Sequence, residues 1–137
     1  MDRMHFGSMF RKARRIAGLT PKALRLAYGL PKSSICHLET GHGNSTVVKY
    51  MKLADCIGYV LAISRGSTVV KLHNYESLGN WIKSLDKISP LAELSVKIGF
   101  EESYLRRVGT CNFEMTIDGF LNLCEIMGYK LSLIPKK

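Results

Sequence analysis

The chain lacks the features that mark membrane, secreted and zinc-ribbon proteins. None of its apolar runs approaches the roughly 20 residues that cross a bilayer. Its first segment, MDRMHFGSMFRKARR, has no apolar core like that of a secretory signal. The four cysteines form no CxxC pair, which suits reduced thiols. These absences predict a cytoplasmic protein without a membrane partner, associated with the nucleoid if it binds DNA.

Enzyme signatures are also missing from the sequence. There is no glycine-rich phosphate loop, no HExxH pair and no nucleophile elbow. A metal site at Cys36, His37 and His42 is disfavoured, because adjacent residues on a helix diverge by about 100° and do not easily share one ion. The sequence therefore predicts a protein that is not an enzyme and that uses no metal and no cofactor.

Acidic residues are scarce in the first half of the chain. Residues 1–70 carry eleven Lys and Arg against three acidic groups, a net charge of +8. Residues 71–137 carry nine against eight, a net charge of +1, and the total is +9. A basic surface attracts polyanions such as nucleic acids, although it also simply solvates a small domain. The asymmetry indicates different tasks for the two halves.

The chain contains an internal repeat with an offset of 70 residues. Segments 46–63 and 116–133 share five identities in 18 ungapped positions, where about one is expected from average amino-acid usage. The identical pairs are Thr46 and Thr116, Leu53 and Leu123, Gly58 and Gly128, Tyr59 and Tyr129, and Leu61 and Leu131. This self-similarity predicts a duplication, with an N-terminal unit at residues 1–66, a strand or linker at 67–75 and a C-terminal unit at 76–137.

Each copy is predicted to form four short helices and then a strand. The first helix of the first copy shows an apolar stripe, made of Phe10, Ala13 and Ile16. Thr20 is suited to cap the second helix, with Pro21 at its first position. Leu24 and Ala27 are expected to face inward from that helix, and Gly29 provides the turn that follows it.

The third and fourth helices have equally clear boundaries. The third is expected to start near Pro31 and to end at Thr40, followed by Gly41 as a left-handed cap. Thr46 caps the fourth, whose buried face consists of Val47, Tyr50, Met51, Leu53, Ala54 and Ile57. The first helix of the second copy has its own stripe, at Leu78, Ile82 and Leu85.

After each set of helices the pattern becomes extended. Residues 59–64 and 68–73 flank a glycine-containing turn, which indicates a hairpin. A third strand is expected at residues 129–134, closed by Pro135. Because a lone hairpin is marginal in water, the three strands are expected to form one sheet. The predicted fold is mainly α, with two units of four to five helices joined by a small antiparallel sheet in a pseudo-two-fold arrangement.

Two helices joined by a tight glycine turn are the helix-turn-helix pattern. The motif residues, in chain order, are Leu19-Thr20, Leu24, Gly29-Leu30, Ile35, Leu38-Glu39-Thr40-Gly41, Leu53-Ala54-Asp55 and Gly58-Tyr59. In this order and spacing they resemble the helix-turn-helix domain of the phage repressor and Cro type, the XRE-like family. The likeness is nearly ungapped over residues 8–63. Residues 76–135 resemble the same family more weakly.

The resemblance implies how the first copy would contact DNA. The second helix of such a motif enters the major groove with its amino-terminal residues at base edges. The base-reading residues would be Lys32, Ser33, Ser34 and His37, while Ile35 and Leu38 point into the core. The phosphate contacts would come from Thr20, Lys22, Thr40, Asn44, Arg11, Arg14 and Arg15. Pro21 replaces a glutamine that contacts DNA in many members, so that contact is lost.

The second copy carries a less favourable surface for DNA. Glu101 and Glu102 stand at the entrance of its reading helix, where phosphate would repel them. Other second-copy residues are candidates for contact, namely Ser103, Tyr104, Arg106 and Arg107. This half reads DNA, braces the first half or binds a protein partner.

The expected function is that of a sequence-specific double-stranded DNA-binding transcriptional regulator, a repressor of phage, plasmid or bacterial type. The resemblance implies a palindromic operator, read by an internal pseudo-dimer or by a homodimer in which only the first copies read. The charge asymmetry favours the homodimer. One alternative is an antitoxin- or inhibitor-like interaction module with a DNA-binding N-terminal half and a protein partner on the C-terminal half. Another is a non-specific DNA-binding accessory protein.

Overall fold

The computed structural model describes residues 1–99, 102–109 and 114–136, without the side chains at positions 91, 98, 102–104 and 109. Within these ranges the fold is mainly helical with one small antiparallel sheet. The elements are α1 (Arg3–Ile16), α2 (Pro21–Tyr28), α3 (Lys32–Thr40), α4 (Val47–Cys56), β1 (Tyr59–Arg65), β2 (Thr68–Leu72), α5 (Tyr75–Leu85), α6 (Leu91–Ile98), α7 (Glu102–Gly109), α8 (Ile117–Met127) and β3 (Lys130–Pro135). None of these helices has the length and apolar character needed to span a membrane.

The helix-turn-helix segment has the local features that its sequence predicts. The Thr20 side chain accepts a hydrogen bond from the Ala23 backbone N–H at 3.1 Å, and α2 starts at Pro21. Gly29 and Gly41 both end their helices in the left-handed conformation, with φ of 71°. Such a φ is strained for any residue with a Cβ, which explains the two glycines. Pro31 precedes α3 as its N-cap.

The sheet has the strand order β2-β1-β3, so β1 is central. The predicted strands are confirmed to within one residue at each end, but Pro135 lies inside β3, paired with Tyr59, and does not close it. The Lys136 N–H donates to the Gly58 carbonyl at 3.0 Å. By the alternation of an antiparallel ladder, the backbone groups of Leu131, Leu133 and Pro135 therefore point to the outer edge. A missing proline N–H costs no ladder hydrogen bond there.

Aromatic rings connect the first and last parts of the core. Phe6 packs edge-on against Phe10 and Tyr50, with ring centroids 5.1 and 4.8 Å apart. Phe6 also lies 6.5 Å from Phe120, whose ring contacts Trp81 at 5.7 Å. The core is thus shared between α1, α4, α5 and α8.

Two predicted core positions are wrong. Ile16 is 70% exposed, and Ala27 is exposed as well. Helix α1 buries Phe6, Phe10 and Ala13 and ends beyond the core, so its last turn has no apolar neighbour on that face. Helix α2 is short and buries only Leu24. The stripe predicted for α5, at Leu78, Ile82 and Leu85, is confirmed as buried.

Helices α1 and α3 cross at a very short distance, which Gly7 permits. A Cβ at this position would lie 2.3 Å from the carbonyl oxygen of Leu38 and 2.6 Å from that of Glu39. Contacts this short with backbone atoms force the helices apart, so only glycine fits. The position of α3 is therefore set by direct contact with the backbone of α1.

Tyr50 makes the fold sensitive to alkaline pH. Its hydroxyl donates to the Leu38 carbonyl at 3.0 Å, and burial raises the pKa of Tyr50 to about 12, against about 10 for an unfolded tyrosine. Above pH 10 the unfolded state loses this proton first. The stabilisation present below pH 10 is therefore lost as the pH rises towards 12, by roughly 2–3 kcal/mol.

Urea unfolding at a series of pH values checks this expectation. The free energy of unfolding should fall more steeply between pH 10 and 12 in the natural protein than in the Tyr50→Phe variant. Equal slopes would show that Tyr50 does not carry the effect.

Candidate nucleic-acid interface

Helix α3 has an inner side and an outer side with different chemistry. Its inner side buries Ile35, Leu38 and Glu39. Its outer side carries the four predicted base-reading residues, and each is exposed: Lys32, Ser33, Ser34 and His37. An amine, two hydroxyls and an imidazole on one short helix can donate and accept hydrogen bonds at base edges.

A buried ion pair fixes α3 to α1. The Arg14 guanidinium donates to both carboxylate oxygens of Glu39, from Nε at 2.6 Å and from Nη2 at 2.9 Å. Its Nη1 donates to the Leu19 carbonyl at 2.8 Å. The hydrogen bonds to Glu39 raise the pKa of Arg14, so the guanidinium stays charged. This bidentate geometry fixes the orientation of both side chains.

Arg14 is therefore not available to DNA. It was expected among the phosphate contacts, but its side chain is only 8% exposed and it is already paired with Glu39. Arg11 is partly exposed, with its Nε 3.6 Å from the same carboxylate. Arg15, on the next position of α1, is exposed and keeps its expected place on the surface.

The other expected phosphate contacts differ in what they can offer. Thr20 and Lys22 are exposed at the start of α2. The Thr20 oxygen accepts from Ala23, which leaves its hydroxyl proton for a phosphate. The Thr40 hydroxyl instead donates to the Cys36 carbonyl at 2.8 Å, so its single proton is already used.

Asn44 has a structural role that its sequence position does not predict. Its side-chain oxygen accepts a hydrogen bond from the Asp118 backbone N–H at 3.1 Å, at the start of α8. Asn44 therefore joins the loop after α3 to the second half of the chain. Its amide protons still face solvent at an exposed residue and are the groups that remain for a phosphate.

Two lysines that the sequence analysis missed lie beside the reading helix. Lys49 and Lys52 are exposed on α4 and line a cavity of about 250 Å³ together with Ser34 and His37 of α3. They stand three residues apart, between the buried positions of an amphipathic helix. That spacing places both on one face and could have indicated them. The cavity is a basic groove beside the exposed side of α3.

The His37 and His42 rings lie close together at the end of this surface. Their centroids are 4.8 Å apart, with an interplanar angle of 37°. The His42 N–H also donates to the His37 carbonyl at 2.9 Å. In the described part of the chain, no three His, Cys, Asp or Glu side chains come together in a way that could hold a metal ion.

The second copy presents a different surface. Leu105 and Val108 of α7 are buried, while Arg106 and Arg107 are exposed. The side chains of Ser103 and Tyr104, and Glu101 as a whole, lie outside the described residues. Seventy residues after Lys49 and Lys52 stand Gly119 and Asn122. The basic groove therefore has no counterpart on α8.

Comparison with family models, with curated proteins and with solved structures finds no match to this chain.

Proposed function

We propose that this protein is a sequence-specific double-stranded DNA-binding transcriptional regulator that acts as a repressor in the cytoplasm, on the nucleoid. The observation that carries the proposal is the orientation of α3. Its apolar residues and Glu39 are held by α1, and Lys32, Ser33, Ser34 and His37 face outward. A rigidly held helix with exposed polar side chains at its amino-terminal end fits the major groove.

The chemistry of the outer residues supports base recognition. Lys32 can donate to guanine O6 and N7, and the serine hydroxyls can donate or accept. His37 can donate at the groove floor. Thr20, Lys22, Arg15, Lys49 and Lys52 flank these residues and would hold the phosphates on either side.

We further propose that the chain is a duplication with an internal two-fold axis, with units at residues 1–66 and 76–137 and a connecting strand at 67–75. Reciprocal hydrogen bonds support this axis. The Val47 N–H donates to the Met115 carbonyl at 2.9 Å, and the Ile117 N–H donates to the Ser45 carbonyl at 2.7 Å. Each donor and acceptor stands 70 residues from its counterpart in the other bond, as a two-fold relation requires.

The sheet supports the same axis. In the pairing of β1 with β3, Leu61 is opposite Leu133 and Ile63 is opposite Leu131. These two pairs also exchange under an offset of 70 residues. The internal pairing favours one chain as the pseudo-dimer over the homodimer that charge asymmetry alone favoured. Because Lys49 and Lys52 have no counterparts, we expect the two halves to contribute unequally to binding.

Selection of bound duplexes from a random pool tests the proposed function. We expect an enriched sequence that is bound by one chain per duplex, with one half-site more strongly specified than the other. Selection with a heat-unfolded sample is the control for retention on the support. If no sequence is enriched over the starting pool, the protein is a non-specific DNA-binding protein.

The basic groove yields a separate prediction about phosphate contacts. The double variant Lys49→Gln and Lys52→Gln should bind all duplexes more weakly and should reduce the slope of log affinity against log salt by up to about 2, because each phosphate contact contributes about 0.9. Fluorescence anisotropy at several salt concentrations measures this slope.

The double variant Lys83→Gln and Lys87→Gln is the matched control, since it removes the same charge from exposed positions on and just after α5. An equal change of slope in both double variants would show that net charge, and not the groove, is responsible.

A further inference from the structure

The outer edge of β3 borders an apolar slot. A cavity of about 350 Å³ lies between α1 and the sheet, lined by Met9 and Ile16 of α1, Tyr59 of β1, and Leu131 and Leu133 of β3. Among the described residues, β3 has a neighbouring strand on one side only. Its outward backbone groups at Leu131 and Leu133 face this slot.

The internal repeat shows what a filled slot looks like. Leu61 and Ile63, which stand 70 residues before Leu131 and Leu133, are fully buried. Strand β2 lies beside them, with Leu72 opposite Leu61 and Val70 opposite Ile63. Leu131 and Leu133 are only half-buried. The place beside β3 that corresponds to β2 is therefore the slot.

The two halves also differ at the floor of this place. In the second half, Trp81 packs edge-on against Tyr129 at 5.4 Å. In the first half, the corresponding surface at Tyr59 faces Met9 across the cavity. A methionine fills less volume than a tryptophan and adapts its shape to a partner. The slot thus has an apolar, adaptable wall.

We propose that an extended segment of a partner protein binds in this slot as a fourth strand, antiparallel to β3. Two apolar side chains of the segment would lie opposite Leu131 and Leu133, in the positions that Leu72 and Val70 occupy beside β1. Backbone hydrogen bonds would supply affinity, and the apolar positions would supply specificity. This inference rests on the proposed duplication and not on DNA reading.

Charge identifies the kind of segment that fits. Lys12 lines the slot, Lys130 flanks it, and no acidic side chain is among its lining residues. A second copy of this chain would offer the outer edge of β2, which carries Lys71 and is followed by His73. Such a contact would bring like charges together. The slot therefore selects a partner segment with acidic residues between or beside its apolar ones.

A peptide titration of the full chain tests the proposal. The probe is a nine-residue synthetic peptide with the sequence of residues 66–74, in which the lysine and the histidine are replaced by glutamate. Hydrogen exchange at the Leu131 and Leu133 amides, followed by NMR, should slow by about tenfold or more at saturating peptide. The unchanged sequence should bind more weakly, and a scrambled peptide should not slow exchange.

Two variants locate the binding site. Ile16→Glu places a carboxylate at the mouth of the slot on a residue that is 70% exposed, and it should abolish the protection. Val69→Glu, on β2 with 55% exposure, is the matched control and should leave it unchanged. Absence of protection at Leu131 and Leu133 overturns the proposal, as does protection that Ile16→Glu does not affect.

Self-association gives the remaining outcome. If the peptide-free chain forms dimers or larger assemblies that Ile16→Glu dissolves, the slot binds a second copy and the proposal of a foreign segment is wrong. Duplex selection by the natural protein is measured separately. A failure of the peptide experiment therefore does not affect the DNA-binding proposal, and a failure of selection does not affect the slot.

Discussion

Replacing Glu39 by glutamine is expected to lower the free energy of unfolding by about 3–5 kcal/mol, because the change leaves the buried Arg14 guanidinium without its counter-charge. Both side chains are less than a tenth exposed, and together they form two charge-assisted hydrogen bonds. Glutamine keeps the size of the side chain but not its charge. Urea unfolding at pH 7 should show a lower midpoint with an unchanged slope.

Two comparisons make this prediction specific. Glu93→Gln, at an exposed residue of α6, should change stability by less than about 0.5 kcal/mol. The double variant Arg14→Met and Glu39→Leu should regain most of the loss, since an apolar pair of similar volume avoids the desolvation of both charges. A Glu39→Gln variant as stable as the natural protein would mean that the pair does not fix α3.

The double variant Lys32→Ala and His37→Ala is expected to lose sequence preference and to keep salt-dependent binding. Each base-edge contact contributes about 1–3 kcal/mol, so the affinity for the enriched duplex should fall by roughly 10²–10⁴-fold. Affinity for unrelated duplexes should change little, because phosphate contacts supply it. Competition between the enriched and a random duplex at fixed salt measures the ratio.

A matched pair of residues controls for the loss of charge and of an imidazole. Lys83→Ala with His73→Ala removes the same side-chain types from exposed positions outside the interface, and it should leave the preference intact. Thermal unfolding of both double variants checks that the fold is unchanged. Preference that survives the Lys32→Ala and His37→Ala change would mean that α3 is not the reading helix.

Local signals made the helix-turn-helix segment predictable from sequence. Thr20 with Pro21 marks the start of α2, and Gly29 and Gly41 mark two helix ends, because each residue type suits the backbone conformation at its position. The apolar face of α4 followed from its spacing. These features depend on neighbours a few residues apart, so one sequence suffices to find them.

Long-range partners were not predictable in the same way. The charge of Arg14 suggests a solvated or DNA-facing side chain, and only the fold shows that Glu39 lies against it. Asn44 likewise bonds to Asp118, which is 74 positions away. Ile16 continues an apolar stripe beyond the end of the core. In each case the tertiary contact, and not the local pattern, determines the role of the residue.

The most direct test of the central claim is to locate α3 on bound DNA. A thiol-specific photocrosslinker is attached to Ser33→Cys in a Cys36→Ser background, and the bound duplex selected from the random pool is irradiated. The same reagent on Ser67→Cys, in the turn between β1 and β2, is the control. The account predicts crosslinks from position 33 to bases within the enriched sequence and few from position 67. Crosslinks from position 67 alone, or equal yields from both, would contradict it.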